Sequence, residues 1–585
     1  MEFDRIEGAP DSKVAWGSDV AAQMLRRLGI RYVSLNPGAS YRGLHDSLVN
    51  HLGNENPSMV LCLHEDAAVS IAHGYAKATG EPMACVLHSN VGLMHGAMGI
   101  YNAFCDRAPM IVLGATGPLD AAERRPWIDW IHTSADQAEI IRNFIKWDDQ
   151  PLSAGALVEA MSRAFLLTRT EPPAPVYICL DAGLQEASLE SEPAWPEVSR
   201  LQPPSPSRAA ASDIRKAADM LSNAERPLLL IGRTDWSVES WDARVALAER
   251  LGACVMTDLK CRAAFPTDHP SHVAPPVPRF TPATRDILNE ADVVLSLDWP
   301  VPGAAFRVGD TRKHRPTLIH SSLDHTLHNG AHANYHALAD AELRLSSSAD
   351  STVADLLEAL GPGTAKPWRA ALPRKQRSAD TNRISIAGVA AALHDAVDDP
   401  DRVTLAALCR GWPFDLWPLR SPLAYLGKDG GGGIGSGPGL SVGAALAMHT
   451  HGRHTIAVLG DGDFCMGATA IWSAVHARIP LLVLINNNRS YYNDELHQET
   501  VARRRNRPVT NRWIGQRISN PDLDIAKLAE AQGAVGIGPV MRTADLAAAL
   551  ARGVEVLVSG GVAVIDIHID PGEERSAGET IAQRA

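Results

Sequence analysis

The sequence predicts an α/β fold of three doubly wound parallel-sheet domains. Short apolar runs, such as residues 83–88, 228–232 and 481–487, alternate with amphipathic stretches long enough to form helices. Uninterrupted apolar runs of this length are typical of parallel strands that are buried on both faces. Two segments rich in proline, serine and charge, residues 184–210 and 361–380, interrupt this alternation and divide the 585 residues into three units.

These linkers predict where each domain begins and ends. We expect an N-terminal domain over residues 1–185, a central domain over residues 205–360 and a C-terminal domain over residues 381–575. A chain of 585 residues is longer than one hydrophobic core usually organises, and each unit has the size of an ordinary single domain.

The composition indicates a cytoplasmic protein that binds small molecules. Its formal net charge of −12 would repel nucleic acid and anionic membrane surfaces. The first 13 residues include acidic ones and no apolar h-region, and the chain has no uninterrupted stretch of about 18 apolar residues, so we expect neither a signal segment nor a membrane span. The eight cysteines include no CxxC pair and lie mostly in apolar runs, as free thiols do in a reducing compartment.

The third unit carries polar residues at the ends of two neighbouring predicted strands. Gly460, Asp461 and Gly462 follow one strand, and Asn488 follows the next, 27 residues after Asp461. Open α/β sheets bind ligands where strand ends meet in this way. Carboxylate and amide oxygens suit Mg²⁺, and glycines let a diphosphate approach the backbone. A lone Gly-Asp-Gly sequence is usually a tight turn, and the spacing to Asn488 favours a metal site instead.

Two further segments are weak signals when each is taken alone. Glu65 precedes a small-residue helix about 400 residues before the metal motif, and such a carboxylate is commonly a solvated residue stabilised by the helix dipole. The glycine-rich run 430–439 would by itself be a flexible loop.

Together, these segments resemble the thiamine diphosphate-dependent enzymes, in particular the acetolactate synthase and benzoylformate decarboxylase group. The resemblance covers nearly the whole chain, in the order pyrimidine-binding, central and diphosphate-binding domain. It implies thiamine diphosphate and Mg²⁺ as cofactors. It also implies that Asp461, the side chain of Asn488 and the main-chain carbonyl of Ser490 ligate the metal.

The resemblance also assigns residues to the organic cofactor. Glu65 would hydrogen-bond the pyrimidine ring and so promote removal of the C2 proton. Ile434 would hold the cofactor in its bent form. Asp463 stands where relatives often carry serine, and a carboxylate beside a phosphate is unfavourable unless it is turned away or bound to backbone N–H groups. The other expected cofactor contacts are Asn36, Pro37, Gly38, Gly433, Gly460, Gly462 and Tyr491.

Five further residues are candidates for catalysis. His88 resembles the active-site histidine of the decarboxylases, and Gln137 resembles a glutamine of carboligating members. Asp494, Glu495 and His497 are candidates for a second proton transfer. A structural histidine and solvated charges at a helix start are the alternative interpretations. The serine that contacts substrate in the decarboxylases corresponds to Ala39 or Ser40.

We therefore expect a 2-oxo acid decarboxylase or carboligase that acts on a small-molecule carbonyl substrate through a C2 ylide and an enamine. Three alternatives stay open: a catalytically silent homologue that binds the cofactor, a flavin-dependent 2-oxo acid oxidase, and a carbon–carbon lyase with another substrate class. FAD is not favoured, because the central unit lacks a GxGxxG fingerprint. The resemblance implies at least a homodimer, and we expect a homotetramer.

Overall fold

The strands form three parallel sheets, which confirms the predicted α/β fold of three domains. The structure, a computed structural model, describes residues 1–11, 13–276, 280–307, 315–326, 335–373, 383–409 and 411–569. The predicted limits of the C-terminal domain, residues 381 and 575, lie outside these residues. In the part of the chain that the structure describes, no helix is both long enough and apolar enough to cross a membrane.

The N-terminal sheet has six strands in the order β2-β1-β3-β4-β6-β5. Its strands are β1 (Tyr32–Leu35), β2 (Ser58–Leu61), β3 (Met83–Val86), β4 (Met110–Thr116), β5 (Trp147–Asp149) and β6 (Val176–Asp181). The helices of this domain are α1 (Gly17–Arg27), α2 (Arg42–Asp46), α3 (Glu65–Thr79), α4 (Ser89–Cys105), α5 (Ala154–Arg169) and α6 (Ala182–Glu186). Because β1 lies between β2 and β3, the segments that follow these three strands meet at one edge of the sheet.

The central sheet has five strands in the order β11-β10-β9-β7-β8. Its strands are β7 (Pro227–Ile231), β8 (Cys254–Thr257), β9 (Val293–Leu297), β10 (Thr317–Ser321) and β11 (Leu343–Leu345). The helices that accompany it are α7 (Ala211–Ser222), α8 (Val238–Leu251), α9 (Pro282–Glu290), α10 (Pro302–Arg307) and α11 (Ala349–Ala359).

The C-terminal sheet has five strands in the order β12-β13-β14-β16-β15. Its strands are β12 (Val403–Leu408), β13 (His454–Gly460), β14 (Leu481–Asn487), β15 (Val535–Val540) and β16 (Val562–His568). Its helices are α12 (Ile386–Ala396), α13 (Gly437–Met448), α14 (Asp461–Gly467), α15 (Ala470–His476), α16 (Tyr492–Arg504), α17 (Ile525–Glu530) and α18 (Thr543–Val558). Strands β13 and β14 are adjacent and parallel, so their carboxyl ends lie side by side.

Helix α3 of the N-terminal domain packs closely along helix α13 of the C-terminal domain. The approach depends on glycine, because a Cβ atom on Gly443 would lie 1.9 Å from the carbonyl oxygen of Ile71. A Cβ atom on Gly74 would likewise lie 2.1 Å from the carbonyl oxygen of Leu440. These small residues bring the two backbones into direct contact, so the two domains share one buried core.

The last turn of α3 joins all three domains through Lys77. Its Nζ atom lies 2.6 Å from the Asp106 carboxylate at the end of α4 and also donates to the carbonyl of Lys428 in the C-terminal domain. Its own carbonyl accepts a hydrogen bond of 2.8 Å from Trp236 Nε1 and another from Arg262, both in the central domain. We call this arrangement the Lys77 joint.

Candidate active site

The C-terminal half-site is formed by the residues that follow β13 and β14. Asp461 is the first residue of α14, and Asn488 follows the last residue of β14. The Ser490 N–H donates both to Asp461 Oδ2 at 3.0 Å and to Asn488 Oδ1 at 2.9 Å. The two side-chain oxygens predicted to bind a metal therefore converge on one amide.

The chemistry of this half-site fits a hard divalent cation. Asp461 is only 3% exposed, and burial raises the pKa of its carboxyl group to about 6. Backbone N–H groups, among them that of Ser490, oppose this shift. A cation bound at the carboxylate would favour the ionised form strongly, and a carboxylate, an amide oxygen and a main-chain carbonyl are typical Mg²⁺ ligands.

Asp463 is bonded to the glycine-rich run. Its Oδ1 atom accepts the N–H groups of Gly435 at 2.6 Å and Gly437 at 3.3 Å. Burial raises the pKa of this carboxyl group, and the two N–H groups oppose that change. Hydrogen bonds from backbone N–H groups are one of the ways, expected from the sequence, in which an acidic side chain could lie beside a phosphate. Asp463 accepts such hydrogen bonds in the structure.

The glycine-rich run also contacts the N-terminal domain. Gly433 and Asn102 of α4 form a reciprocal pair: the Gly433 N–H lies 3.4 Å from Asn102 Oδ1, and Asn102 Nδ2 lies 3.3 Å from the Gly433 carbonyl. Ile434 follows directly and is 48% exposed. Its side chain is therefore available to contact a ligand in front of the C-terminal sheet.

Tyr491 packs on the turn that contains Asp461. A Cβ atom on Gly462 would lie 2.5 Å from Tyr491 Cε1, so the ring occupies the space that a larger residue would need. The Tyr491 N–H donates to the carbonyl of Gln516 at 2.9 Å, which fixes the start of α16.

The three candidates on α16 have different environments. Asp494 and His497 are exposed, and His497 Nδ1 lies 3.5 Å from Asp494 Oδ1. Glu495 is only 3% exposed. Its Oε1 atom accepts a hydrogen bond of 2.5 Å from Ser490 Oγ, and its Oε2 atom lies 3.3 Å from Arg512 Nε. Glu495 is therefore bonded to Ser490 in residues 488–491, which we call the metal loop, whereas Asp494 and His497 are exposed.

The N-terminal half-site lies at the carboxyl ends of β1, β2 and β3. Asn36, Glu65 and His88 each follow one of these three adjacent strands. Asn36 Nδ2 donates to the carbonyl of Cys62 at 3.0 Å, which joins the ends of β1 and β2, and Pro37 continues the same turn.

Glu65 begins α3 and is buried. It is 7% exposed, and its Oε2 atom lies 3.0 Å from Nδ1 of His95, whose side chain is 51% exposed. His64 caps the helix, since its Nδ1 atom accepts the Asp66 N–H at 3.1 Å. An ionised carboxylate can accept several hydrogen bonds, so Glu65 is oriented by His95 and retains capacity for another donor.

His88 contacts Ser40 and His132. Its Nδ1 atom lies 2.9 Å from Ser40 Oγ, and the ring of His132 meets its ring edge-on with 4.8 Å between centroids. Burial, followed by the nearby charge of His132, lowers the pKa of His88, so the ring is neutral at pH 7. Gly38 lies against this ring, where a Cβ atom would be 2.3 Å from His88 Cβ.

Gln137 is held inside the N-terminal domain. Its Nε2 atom donates to the carbonyl of Ala115 at 3.1 Å and to Tyr177 Oη at 2.8 Å, and the residue is buried. None of its described hydrogen bonds reaches Glu65 or His88.

The described residues of the two half-sites form separate hydrogen-bonded clusters within one chain. Among the described residues, Glu65 is paired with His95 and Asp461 with Ser490, and no hydrogen bond or ion pair links these two clusters. Several contacts carried no signal in the sequence, because they come from irregular segments or from helix positions outside any motif: His95, Asn102, His132 and Arg512. Ser40, one of the two positions suggested for the substrate-contacting serine, is the one that the structure places against His88.

Three domain models of one family match the chain in the expected order. The N-terminal TPP binding domain of thiamine pyrophosphate enzymes matches residues 15–140, the central domain matches residues 214–347, and the C-terminal TPP binding domain matches residues 407–567. The C-terminal match includes Asp461, Asn488 and Ser490, and the N-terminal match includes Glu65.

Individual proteins are also similar to this chain. Benzoylformate decarboxylase of Pseudomonas aeruginosa is 26% identical over 478 residues, which cover 80% of this chain and 85% of that protein. Acetolactate synthase isozyme 1 large subunit of Escherichia coli K12 is 26% identical over 496 residues, with coverages of 81% and 82%. The crystal structure of benzoylformate decarboxylase from Polynucleobacter necessarius has a TM-score of 0.79 at 20% identity, and covers 95% of this chain and 100% of that one. At that identity the structural likeness shows the fold alone.

Proposed function

The chain belongs to the thiamine pyrophosphate enzyme family, and on this premise we propose that it is a thiamine diphosphate- and Mg²⁺-dependent decarboxylase or carboligase of 2-oxo acids. The observation that carries the proposal is the convergence of Asp461 and Asn488 on the Ser490 N–H. It is supported by the burial of Glu65, the carboxylate that the resemblance assigns to the pyrimidine ring. The names of the relatives support the substrate class, since benzoylformate decarboxylase and acetolactate synthase are both among them.

Asp461, the Asn488 side chain and the Ser490 carbonyl would hold Mg²⁺, which in turn would bind the diphosphate. When bound, the cofactor supplies an electron sink for breaking the bond between the carbonyl carbon of the substrate and its neighbouring carbon. Glu65 would hold a proton at the pyrimidine ring nitrogen, and its burial keeps water from competing for that hydrogen bond.

His88 would transfer a proton to or from the substrate. The Ser40 N–H and hydroxyl both lie within reach of its Nδ1 atom, so the neutral ring carries its proton on Nε2. A neutral ring with a lowered pKa is a base near pH 7, and the imidazolium formed when it takes a proton could return that proton to the substrate. The exposed pair Asp494 and His497 is a second candidate for this role.

We propose that two copies of the chain complete the site. Large apolar side chains are exposed near both half-sites: Leu63, Met94, Met98, Ile434 and Met466. Burial of these side chains against a second copy would be favourable. It would also bring Glu65 of one copy towards Asp461 of the other. We expect this homodimer to pair further into a homotetramer.

We propose that the central domain binds no flavin. Nucleotides bind at the carboxyl ends of parallel strands, and in this domain those ends are tied together by ion pairs. Asp298 follows β9 and lies 2.5 Å from Arg107 of the N-terminal domain, which also binds Asp324 beyond β10. Arg233 beyond β7 lies 3.7 Å from Asp298 and 3.6 Å from Asp324.

We also propose that the enzyme is cytoplasmic. All eight cysteines are free thiols, and several of them are completely buried. Free thiols without disulfides fit a compartment with a reducing glutathione pool.

The test is CO₂ release by the purified protein in the presence of thiamine diphosphate and Mg²⁺, with pyruvate and benzoylformate assayed separately. We expect release to require both cofactors and to collapse in Glu65→Gln. No release from either substrate, despite measurable cofactor binding, would contradict the proposal and would favour another lyase substrate. Flavin absorbance in the purified protein would contradict the proposal for the central domain.

A further inference from the structure

We propose that Glu495 and Arg512 are positioning residues that set the metal affinity of the C-terminal half-site. Arg512 lies in residues 505–518, which we call the brace. Glu495 connects this brace to Ser490. The inference rests on the proposed function, because it concerns the Mg²⁺ site described above. It assigns to Glu495 a role in holding the metal loop, in place of the proton transfer that its position after the metal motif suggested.

The brace is joined to the metal loop by backbone hydrogen bonds. The Tyr491 N–H donates to the Gln516 carbonyl at 2.9 Å, and the Ile518 N–H donates to the Arg489 carbonyl at 2.8 Å. Ser490 lies between these two bonds and forms an antiparallel bridge with Arg517. Ser490, which is expected to supply a main-chain carbonyl to the metal, is therefore held by backbone hydrogen bonds like those of a two-stranded antiparallel ribbon.

The side chain of Ser490 adds a second connection. Its Oγ atom donates to Glu495 Oε1 at 2.5 Å and lies 3.3 Å from the Gln516 carbonyl. Glu495 Oε2 lies 3.3 Å from Arg512 Nε, and Arg517 approaches Oε1 at 3.9 Å. Glu495 is therefore a buried carboxylate whose neutralising cations both belong to the brace.

Arg512 binds one face of α16 at two positions. Besides Glu495 it pairs with Glu499, one turn further along the helix, and its guanidinium lies 5.6 Å from the centre of the Tyr492 ring. Glu499 is also paired with Arg503 at 2.6 Å on the exposed side. Loss of Arg512 would remove the close cation from a buried carboxylate, which is strongly unfavourable. Loss of Arg503 would remove an exposed pair of small value.

The consequence for the metal follows from the position of Ser490. The amide N–H of this residue orients both predicted side-chain ligands, and its carbonyl is the third predicted protein ligand. Groups that orient metal ligands typically change metal affinity by about 10- to 100-fold when they are removed. We expect Arg512→Met and Ser490→Ala to weaken metal binding, although neither substitution removes a ligand atom.

The experiment measures Mn²⁺ affinity by electron paramagnetic resonance, with Mn²⁺ in place of Mg²⁺ and thiamine diphosphate present. We expect the Kd to rise about tenfold or more in Arg512→Met and in Ser490→Ala. Arg503→Met is the matched control, because it removes another arginine bound to Glu499 and leaves Glu495 paired; its Kd should stay within about twofold of wild type. The unfolding midpoint of each metal-free variant tests whether it is folded.

Two outcomes are distinguishable. Wild-type Kd values in folded Arg512→Met and Ser490→Ala would overturn the inference and leave the proposed function intact. Failure of the wild-type protein to bind Mn²⁺ at all would contradict the proposed function itself. If Arg512→Met does not fold, Ser490→Ala decides alone, because it removes a single oxygen atom.

Discussion

The two half-sites are held in different ways. In the C-terminal half-site, the predicted residues bond to one another, since Asp461 and Asn488 share the Ser490 N–H. In the N-terminal half-site, Glu65 is bonded instead to His95, which was not a predicted site residue, and His88 is bonded to Ser40, one of two positions suggested for a substrate-contacting serine. Backbone geometry after two adjacent strands determines the first arrangement, whereas packing between distant segments determines the second. A sequence motif with fixed spacing can therefore predict the first arrangement but not the second.

Glu65→Gln should have the largest effect and would test the N-terminal half-site directly. The carboxylate is buried and preoriented, so replacement by an amide should lower kcat about 10²- to 10⁴-fold. The metal and the diphosphate, which we assign to the C-terminal half-site, should still bind. Steady-state CO₂ release and calorimetric titration of thiamine diphosphate measure the two quantities. Loss of binding together with kcat would contradict the division of roles.

Asp461→Asn should weaken metal binding, which Glu65→Gln should leave intact. The asparagine can still accept the Ser490 N–H, but it removes the negative charge from the metal site. We expect the Mn²⁺ Kd to rise by about 100-fold or more, with activity recovered in part at high metal concentration. A Kd unchanged from wild type would exclude Asp461 as a ligand.

Gly443→Ala should affect both half-sites together through folding stability. Its Cβ atom would lie 1.9 Å from the Ile71 carbonyl oxygen, so α3 and α13 must separate. We expect the free energy of unfolding to fall by about 1–3 kcal/mol, measured by chemical denaturation. The matched control is Gly155→Ala in α5, where a Cβ atom would meet nothing within 4 Å. Equal stability of the two variants would contradict the close-packing interpretation.

Gln137→Met should lower stability and leave kcat unchanged. The substitution leaves the Ala115 carbonyl and the Tyr177 hydroxyl without the donor that they now share. A buried hydrogen bond of this kind is worth about 1–2 kcal/mol. Denaturation curves and kcat, measured on the same preparation, separate the two effects. A large loss of kcat at unchanged stability would instead support the catalytic role that the resemblance implies.

His95→Ala should have the smallest effect. His95 is half-exposed, so solvent screens its interaction with Glu65, and the rate should fall only about two- to fivefold. His95→Gln, which can still donate a hydrogen bond, should recover most of the rate. A loss as large as that of Glu65→Gln would mean that His95 takes part directly in the reaction.

The sequence predicted the three parallel sheets and the convergence of Asp461 and Asn488, because both follow from strand periodicity and fixed spacing. It also anticipated that backbone N–H groups could hold Asp463. It did not predict the burial of Glu495, because that depends on a brace residue, Arg512, 17 residues further along the chain. His132 was missed because it lies in an irregular segment where no periodic pattern indicates which side chains point inward.

The helix that begins with Glu65 ends at the Lys77 joint, and this limits how α3 can change in evolution. An α-helix turns by about 100° and advances about 1.5 Å for each residue. One inserted or deleted residue between Glu65 and Lys77 would therefore rotate the carboxylate away from His95, or the ammonium away from Asp106. Homologues should therefore keep the length of α3, whereas the surface linkers between domains can vary in length.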